Sequence, residues 1–254
     1  MSESYVRSQI EHGINTIEFF HPQSNSLPAR ILEELTKEIH SAGTHEDTRV
    51  IILKSGGDKT FCSGASFDEL LKINTVAEGT RFFSGFANVI NAMRKCPKFI
   101  IGRIQGKCVG GGVGLAASVD YALAVTQSEI KLSELAVGIG PFVVGPPIER
   151  KIGIAGFSAL SMDATMWRTA DWARKKGLFA EVHESIQNMD ESIDRLANTL
   201  SHSNPQAMTE MKKIFWKGTE HWDDLLRERA AISGRLVMSD FTRNAIGKFK
   251  SKTT

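Results

Sequence analysis

Residues 104–118 read Ile104-Gln-Gly-Lys-Cys-Val-Gly-Gly-Gly-Val-Gly-Leu-Ala-Ala-Ser118, which places a glycine-dense turn between an apolar run and a small-residue pattern typical of a helix. Three successive glycines, Gly110 to Gly112, and then Gly114 leave the backbone without side chains where this helix is predicted to start. The first N–H groups of a helix have no partner inside it, so they can bind a negatively charged oxygen. We therefore expect this turn to form the floor of an active site.

The segments around this turn indicate an α/β core. Residues 49–54 (RVIILK) are a continuous apolar run of the kind that is buried on both faces of a sheet, and residues 98–104 are a second candidate for such a strand. Residues 119–125 follow the turn as a further predicted strand, and a helical pattern covers residues 75–94. Strands that alternate with helices predict a largely parallel sheet with right-handed crossovers.

The two ends of the chain differ in their patterns. Residues 5–11 and 16–20 predict a β-hairpin, after which Ser26 is expected to cap a helix that has Pro28 in its first turn. Beyond residue 135 the patterns are helical. These later predicted helices cover residues 148–151, 156–163, 170–176, 184–201, 205–218 and 221–237.

The composition is that of an ordinary globular protein. With 41% apolar and 24% charged residues and a formal charge of +2, the chain has no strong global field for nucleic acid or a membrane. Its three cysteines are an odd number at irregular spacings, which argues against a disulfide framework and a zinc site. The first residues carry no apolar signal region, and no later run is long enough to span a membrane. We therefore expect a cytoplasmic protein that binds neither nucleic acid nor membrane.

The glycines of the central turn allow two other interpretations. Gly112-Val-Gly-Leu-Ala-Ala117 fits the G-x-G-x-x-A pattern of a dinucleotide-binding turn, and Glu134 follows it. Six residues, 105–110, precede this match, however, whereas a dinucleotide turn places its first glycine at the end of the strand. The match is therefore weak evidence. Alternatively, the glycines only allow a helix to pack closely on a sheet.

A second small-residue turn, residues 55–66, follows the predicted strand at 49–54 and ends in Phe61-Cys-Ser-Gly-Ala-Ser66. Two such turns after neighbouring strands could direct N–H groups at one oxygen, which is what stabilises an enolate or a tetrahedral oxyanion. Glu134 lies in an apolar stretch, residues 132–137, where desolvation would raise its pKa and suit it to act as a base. It could equally be a loop carboxylate that an arginine or a backbone amide satisfies.

These features together resemble the crotonase superfamily, also called the enoyl-CoA hydratase/isomerase family. Residues 59–70 (KTFCSGASFDEL) are similar to the first glycine-containing segment of that family, and residues 106–112 (GKCVGGG) are similar to the second. The similarity continues through Asp120 and the Ser133-Glu-Leu135 loop to residues 240–250, so it spans nearly the whole chain. It implies the crotonase fold, an α/β fold with a superhelical core of repeated β-β-α turns followed by a helical C-terminal region.

The resemblance also implies a domain organisation and a set of partners. Residues 1–195 would form the catalytic core, and residues 196–254 would form a helical trimerisation region. The protein would then assemble as a homotrimer or as a hexamer, a dimer of trimers. An acyl-CoA would be its substrate, with coenzyme A present as part of that substrate and with no metal or permanently bound cofactor.

Site residues follow from the resemblance one by one. The backbone N–H groups of Ala65 and Gly111 would form an oxyanion hole for the thioester carbonyl, and Glu134 would be the catalytic acid/base. Ser66 and Asp68 depart from the family pattern, which usually has an acid and a lysine at these positions. The other residues expected to bind the substrate or its CoA moiety are Ser63, Gly64, Phe67, Gly110, Phe142 and Lys250.

Gly114 is the departure that bears most on the reaction. Hydratases of the family handle water with two glutamates; Glu134 matches the second of these, and Gly114 stands at the position of the first. General acid–base assistance contributes about 10²–10⁴-fold, so an ordinary hydratase is disfavoured. Isomerisation needs only one base, which removes a C2 proton and returns it to C4. In this respect the chain resembles the enoyl-CoA isomerases of the family that have a single glutamate. The resemblance therefore implies that Glu134 shifts the double bond of a 3-enoyl-CoA to give a 2-enoyl-CoA.

Other functions stay open from the sequence. An enoyl-CoA hydratase could take its second acid from elsewhere, with Glu149 and Asp163 as candidates. A decarboxylase that forms an enolate, or a thioesterase, would use the same oxyanion hole. A catalytically silent scaffold or RNA-binding relative is favoured by Gly114 and Asp68 and disfavoured by the near-neutral charge and the intact turns.

Overall fold

The computed structural model describes residues 3–251, of which residues 249–251 are described without their side chains. Lys250 is expected from the resemblance to contact CoA. Its side chain lies outside the described part of the structure, so that assignment stays a prediction.

Strands and helices alternate over the first part of the chain, and helices dominate the rest. The strands are β1 (Tyr5–Glu11), β2 (Ile14–Phe20), β3 (Val50–Ser55), β4 (Thr60–Cys62), β5 (Phe99–Ile104), β6 (Lys107–Val109), β7 (Tyr121–Val125), β8 (Glu129–Lys131), β9 (Arg168–Thr169) and β10 (Glu181–His183). The helices are α1 (Ala29–Thr44), α2 (Phe67–Leu70), α3 (Val76–Lys95), α4 (Gly111–Ser118), α5 (Gly145–Met162), α6 (Ala170–Lys176), α7 (Ile186–Ser201), α8 (Pro205–Phe215), α9 (Trp222–Leu236) and α10 (Asp240–Ser251), with a 3₁₀ turn at Leu135–Val137.

The larger sheet has six strands in the order β1-β2-β3-β5-β7-β10. β1 and β2 form the predicted antiparallel hairpin, and the other neighbouring strands are parallel. Successive side chains of β3 point to opposite faces of the sheet. Ile51 and Leu53 join the main core with α1 and α3, whereas Val50 and Ile52 pack in a second core with α7. Burial on both faces explains why residues 50–53 of this strand are all apolar.

A smaller sheet, β4-β6-β8-β9, positions the glycine turns. β4, β6 and β8 are parallel, and Cys62 of β4 pairs with Cys108 of β6. The chain leaves β4 into residues 63–66 and leaves β6 into Gly110, so the two turns lie side by side. No pattern in the sequence predicts β4, β6 or β9, because strands of two or three residues show little periodicity.

Two helix starts show where local signals succeed and fail. Thr75 caps α3 in a capping box: its hydroxyl accepts the N–H of Glu78 at 3.1 Å, and the Glu78 carboxylate accepts the N–H of Thr75 at 3.3 Å. The predicted helix α1 is present, but its predicted cap is wrong, because Pro28 and not Ser26 is the N-cap. The Ser26 hydroxyl instead lies 2.9 Å from Nδ1 of His21.

The two helices predicted at residues 148–151 and 156–163 lie on either side of a kink in α5. Gly153 forms this kink, with a φ of 70° and a ψ of 164° that are not helical. The predicted boundary between residues 195 and 196 lies within α7, and the division into two regions stays a prediction. The trimerisation role of residues 196–254 stays a prediction.

α9 packs along α3 through two facing glycines. A Cβ at Gly79 would lie 2.9 Å from Cα of Gly234, and a Cβ at Gly234 would lie 2.5 Å from the backbone nitrogen of Thr80. Carbon atoms normally stay about 3.5–4.0 Å apart, so this approach requires glycine on both helices. As a result, α9 reaches the pocket that is described next.

Candidate active site

A pocket lies between α2, α3, the start of α4 and the loop before α5. It encloses about 550 Å³ of empty space, part of which is open to solvent. Apolar side chains form most of its wall: Phe67, Leu70, Phe83, Phe86, Val137, Ile139, Phe142, Val143 and Val144.

The pocket brings together every predicted site residue whose side chain the structure describes. Those that line it are Ser63, Gly64, Ala65, Phe67, Gly110, Gly111, Glu134 and Phe142. They come from three stretches that are far apart in sequence. The pairing of β4, β6 and β8 in the smaller sheet brings these stretches together.

Gly64 determines how closely the two turns approach each other. Its φ of 86° is in the left-handed region that favours glycine. A Cβ at this position would lie 2.8 Å from the carbonyl oxygen of Val109 and 3.3 Å from the nitrogen of Gly111. Glycine is therefore required here for both conformation and space, and it holds the 63–66 turn against the start of α4.

Two backbone N–H groups in these turns have no internal acceptor. The carbonyl of Gly110 accepts the N–H groups of Val113 and Gly114, but neither the Gly111 N–H nor the Ala65 N–H donates to any group in residues 3–251. Both residues line the pocket. Unpaired N–H groups, one of them at a helix N-terminus, favour an oxygen that carries negative charge.

Glu134 lies directly over Gly110. It precedes the 3₁₀ turn, and its carbonyl accepts the N–H groups of Val137 at 3.2 Å and Ile139 at 2.9 Å, which fixes the loop. A Cβ at Gly110 would lie only 2.9 Å from Oε1 of Glu134. The glycine at position 110 thus makes room for the carboxylate beside the N–H of Gly111.

The environment of the Glu134 carboxylate favours its neutral form. The residue as a whole is partly exposed, but its Oε2 is buried and has no hydrogen-bond partner in the part of the chain that the structure describes. Burial raises the pKa of this carboxyl to about 7, and a hydrogen bond from its own backbone N–H acts in the opposite direction. Within the described residues no arginine pairs with this carboxylate, so of the two alternative partners only a backbone amide is present, namely the N–H of Glu134 itself. A carboxyl group with a pKa near 7 can both accept and return a proton at neutral pH.

Gly112 and Gly114 serve packing. A Cβ at Gly112 would lie 2.4 Å from the carbonyl oxygen of Cys62, and a Cβ at Gly114 would lie 2.6 Å from Cγ1 of Val144. Both glycines lie inside α4, so they do not form a dinucleotide-binding turn. The packing interpretation of the glycines therefore holds at these two positions.

Glu134 is the one ionisable side chain among the described residues that line the pocket. Of the two acids proposed as partners for a hydratase, Asp163 pairs with Arg168 at 3.0 Å, and neither it nor Glu149 lines the pocket. Among the described residues that line the pocket, no second carboxylate accompanies Glu134.

Sequence reasoning missed much of the pocket wall. Phe83 and Phe86 fit the helical period of α3 and give the same signal as ordinary core residues. Ser233 of α9 also lines the pocket. Its sequence surroundings carry no catalytic pattern; the only available signal is the neighbouring Gly234, a glycine within a helix.

Residues 9–246 match the protein-family model described as Enoyl-CoA hydratase/isomerase. The chain belongs to this family. Its named relatives include an isomerase and a hydratase. The peroxisomal Delta(3,5)-Delta(2,4)-dienoyl-CoA isomerase of Arabidopsis thaliana is 26% identical over 211 residues, which cover 77% of this chain and 74% of the relative. The mitochondrial methylglutaconyl-CoA hydratase of Rattus norvegicus is 30% identical over 200 residues, which cover 77% of this chain and 63% of the relative.

The architecture agrees with membership of the enoyl-CoA hydratase/isomerase family. The crystal structure of an enoyl-CoA hydratase from Bacillus halodurans matches with a TM-score of 0.90 and 21% identity, and the match covers 96% of this chain and 100% of that one. The predicted α/β crotonase fold is confirmed. The chain is an acyl-CoA enzyme of the enoyl-CoA isomerase or hydratase type.

The described residues were also searched for metal-binding groups, membrane-spanning helices and disulfides. Within residues 3–251, no group of three or more His, Cys, Asp or Glu side chains could hold a metal ion. In the same part of the chain, no helix is long and apolar enough to cross a membrane. The cysteines Cys62, Cys96 and Cys108 are buried and have free thiols.

Proposed function

We propose that the protein is an enoyl-CoA isomerase that converts a 3-enoyl-CoA into a 2-enoyl-CoA with Glu134 as its acid/base. The observation that carries this proposal is the buried Oε2 of Glu134, which has no hydrogen-bond partner in the described residues and belongs to the one ionisable side chain among those that line the pocket. Double-bond migration needs one group that accepts and returns a proton. Hydration would in addition need a positioned water and a group that handles its protons.

The reaction balances with one carboxylate. Glu134 removes a proton from C2 of the acyl chain, and the electron pair of that C–H bond moves towards the thioester carbonyl, which gives a dienolate. Protonated Glu134 then returns the proton to C4, and the double bond comes to lie between C2 and C3. The carboxylate ends in its starting state, and neither water nor a redox partner is consumed.

The unpaired N–H groups of Ala65 and Gly111 are proposed to stabilise the dienolate oxygen. They line the same pocket as Glu134 and have no acceptor in residues 3–251. Donors that are already oriented towards the developing charge need little reorganisation during the reaction, which is why such groups lower a barrier effectively. Gly64 and Gly110 support this arrangement because they keep side chains out of the space between the turns.

The remaining substrate contacts are assigned by chemistry. The apolar wall that includes Phe67 and Phe142 suits the hydrocarbon acyl chain. Ser63 at the pocket and Lys250 in α10 are proposed to contact the CoA moiety. Asp68, at a position where the family usually has a lysine, accepts a hydrogen bond from Nε2 of Gln23 at 2.8 Å, so CoA would meet a different surface here.

The rate is expected to depend on pH through Glu134. The base must be ionised to accept a proton, so kcat/KM for a 3-enoyl-CoA should rise with pH and level off above its pKa of about 7. The measurement is kcat/KM between about pH 5 and pH 9, which reports groups of the free enzyme. A midpoint near the ordinary glutamate value of 4.5 would contradict the buried base.

The decisive test of the proposed function is product analysis with a panel of 2-enoyl-, 3-enoyl- and 3-hydroxyacyl-CoA substrates. Rapid conversion of the 3-enoyl-CoA, with little 3-hydroxyacyl-CoA formed, is the expected result. Preferential interconversion of 2-enoyl- and 3-hydroxyacyl-CoA would instead identify a hydratase. Turnover of none of them would indicate a silent relative, for which protection against thermal unfolding by RNA but not by acetoacetyl-CoA would be the signature.

Assembly and location remain predictions from the sequence. We propose a homotrimer or a dimer of trimers, and a cytoplasmic location. Mass measurement of the intact protein in solution would test the assembly.

A further inference from the structure

The side chain of Val144 fills the space next to Gly114. A Cβ at Gly114 would lie 2.6 Å from Cγ1 and 2.7 Å from Cβ of Val144, much closer than carbon atoms approach each other. The glycine therefore leaves no gap in this wall. Val144 occupies the volume that a side chain at position 114 would need. It is buried and lines the same pocket as Glu134.

This part of the wall has few polar groups that could bind a water molecule. A bound water needs about two to four polar partners. The neighbouring wall residues Val143 and Val144 present only carbon atoms from their side chains. A water molecule at this wall would replace its hydrogen bonds in bulk solvent with apolar contacts.

We infer that Val144 determines the type of reaction by keeping water away from the acyl chain beside Gly114; this inference rests on the proposed function. The 2-enoyl-CoA that isomerisation produces is itself a substrate for hydration. Hydration would break an O–H bond of water and the π bond between C2 and C3, and it would form a C3–O and a C2–H bond. A water-free wall therefore protects the product of the isomerase from a second reaction in the same pocket.

The geometry gives a sharp variant series at this position. Val144→Ala would keep a Cβ at 2.7 Å from a side chain at position 114, whereas Val144→Gly would leave only its Cα, at 3.6 Å. We therefore expect the side chain introduced by Gly114→Glu to be accommodated in a Val144→Gly background and to clash with the Cβ at position 144 in a Val144→Ala background. Val144→Thr keeps the shape of valine and adds a hydroxyl that can hold a water.

The measured quantity is the ratio of two rates in one protein sample: hydration of 2-hexenoyl-CoA and isomerisation of 3-hexenoyl-CoA. This ratio is independent of the fraction of folded protein. We expect it to rise about tenfold or more in Val144→Gly and in Val144→Thr, and by about a further 10²-fold when Gly114→Glu is added to Val144→Gly.

Val119→Gly is the matched control. Val119 packs on a glycine in the same way, since a Cβ at Gly102 would lie 2.9 Å from its Cγ2, but Val119 does not line the pocket. Its removal should leave the ratio within about twofold of the wild type.

Two different results would count against these ideas. If the wild type isomerises through Glu134 but the ratio stays within about twofold in all the Val144 variants, the role of Val144 is overturned while the proposed function stands. If the wild type fails to isomerise 3-hexenoyl-CoA, the proposed function fails, and the inference about Val144 fails with it. The second result is seen without any change at Val144, so the two can be told apart.

Discussion

Glutamine at position 134 is expected to lower the turnover of 3-hexenoyl-CoA by about 10²–10⁴-fold. The amide has almost the size of the carboxylate but cannot accept the C2 proton. The Oε2 of Glu134 has no partner in residues 3–251, so the substitution breaks no ion pair in that part of the chain. The measurement is kcat with product identification, together with the midpoint of thermal unfolding to show that the variant is folded.

Glu149→Gln provides the matched control for Glu134→Gln. Glu149 is partly buried in α5 but does not line the pocket. Its substitution should change turnover by about twofold or less, as expected for a residue outside the site. Turnover of Glu134→Gln within about tenfold of the wild type would remove Glu134 as the acid/base.

Alanine at Gly110 is the second substitution with a large expected effect. Gly110 has a φ of 52° and a ψ of −115°, and a Cβ there would lie 2.9 Å from Oε1 of Glu134. The methyl group must displace the carboxylate or shift the start of α4. Because misplacement of a catalytic group by about 1 Å can cost 10²-fold, we expect turnover to fall by about 10²-fold.

Two comparisons separate this effect from simple backbone strain. Gly218 also has a positive φ, 83°, but a Cβ there would meet no atom within 4 Å, so Gly218→Ala adds strain without a clash. We expect it to lower stability and to leave kcat of the folded protein within about twofold. In a Glu134→Gln background, Gly110→Ala should cost much less than about 10²-fold, because the group that it displaces is already inactive. Full additivity of the two effects would show that Gly110 acts independently of Glu134.

The parts of the fold that could be predicted are those with long, regular signals. Residues 50–53 of β3 and 99–101 of β5 are buried and all apolar, and α3 has both a helical period and a complete cap. The cap of α1 was mispredicted because Ser26 has the right chemistry for a cap but lies near His21 instead. β4, β6, β9 and β10 have three residues or fewer and depend on pairing partners that are distant in sequence.

The residues of the candidate site likewise differ in whether the sequence reveals them. The two glycine turns and Glu134 could be selected from the sequence because glycine clusters and a lone acid in an apolar stretch are local features. Val144 could not, because its significance comes from contact with Gly114, thirty residues earlier in the chain. The other residues of the pocket wall could not be predicted for a related reason. A residue such as Phe86 gives the same sequence pattern whether its side chain packs in the core or faces a substrate.

The contact between α3 and α9 has a consequence for the order in which the protein is made. α9 supplies Ser233 to the pocket, and it is held in place where Gly79 meets Gly234. During synthesis, the two glycine turns and Glu134 leave the ribosome well before this helix does. A nascent chain therefore carries its proposed catalytic groups beside an incomplete wall, and the pocket closes only when the last helices emerge.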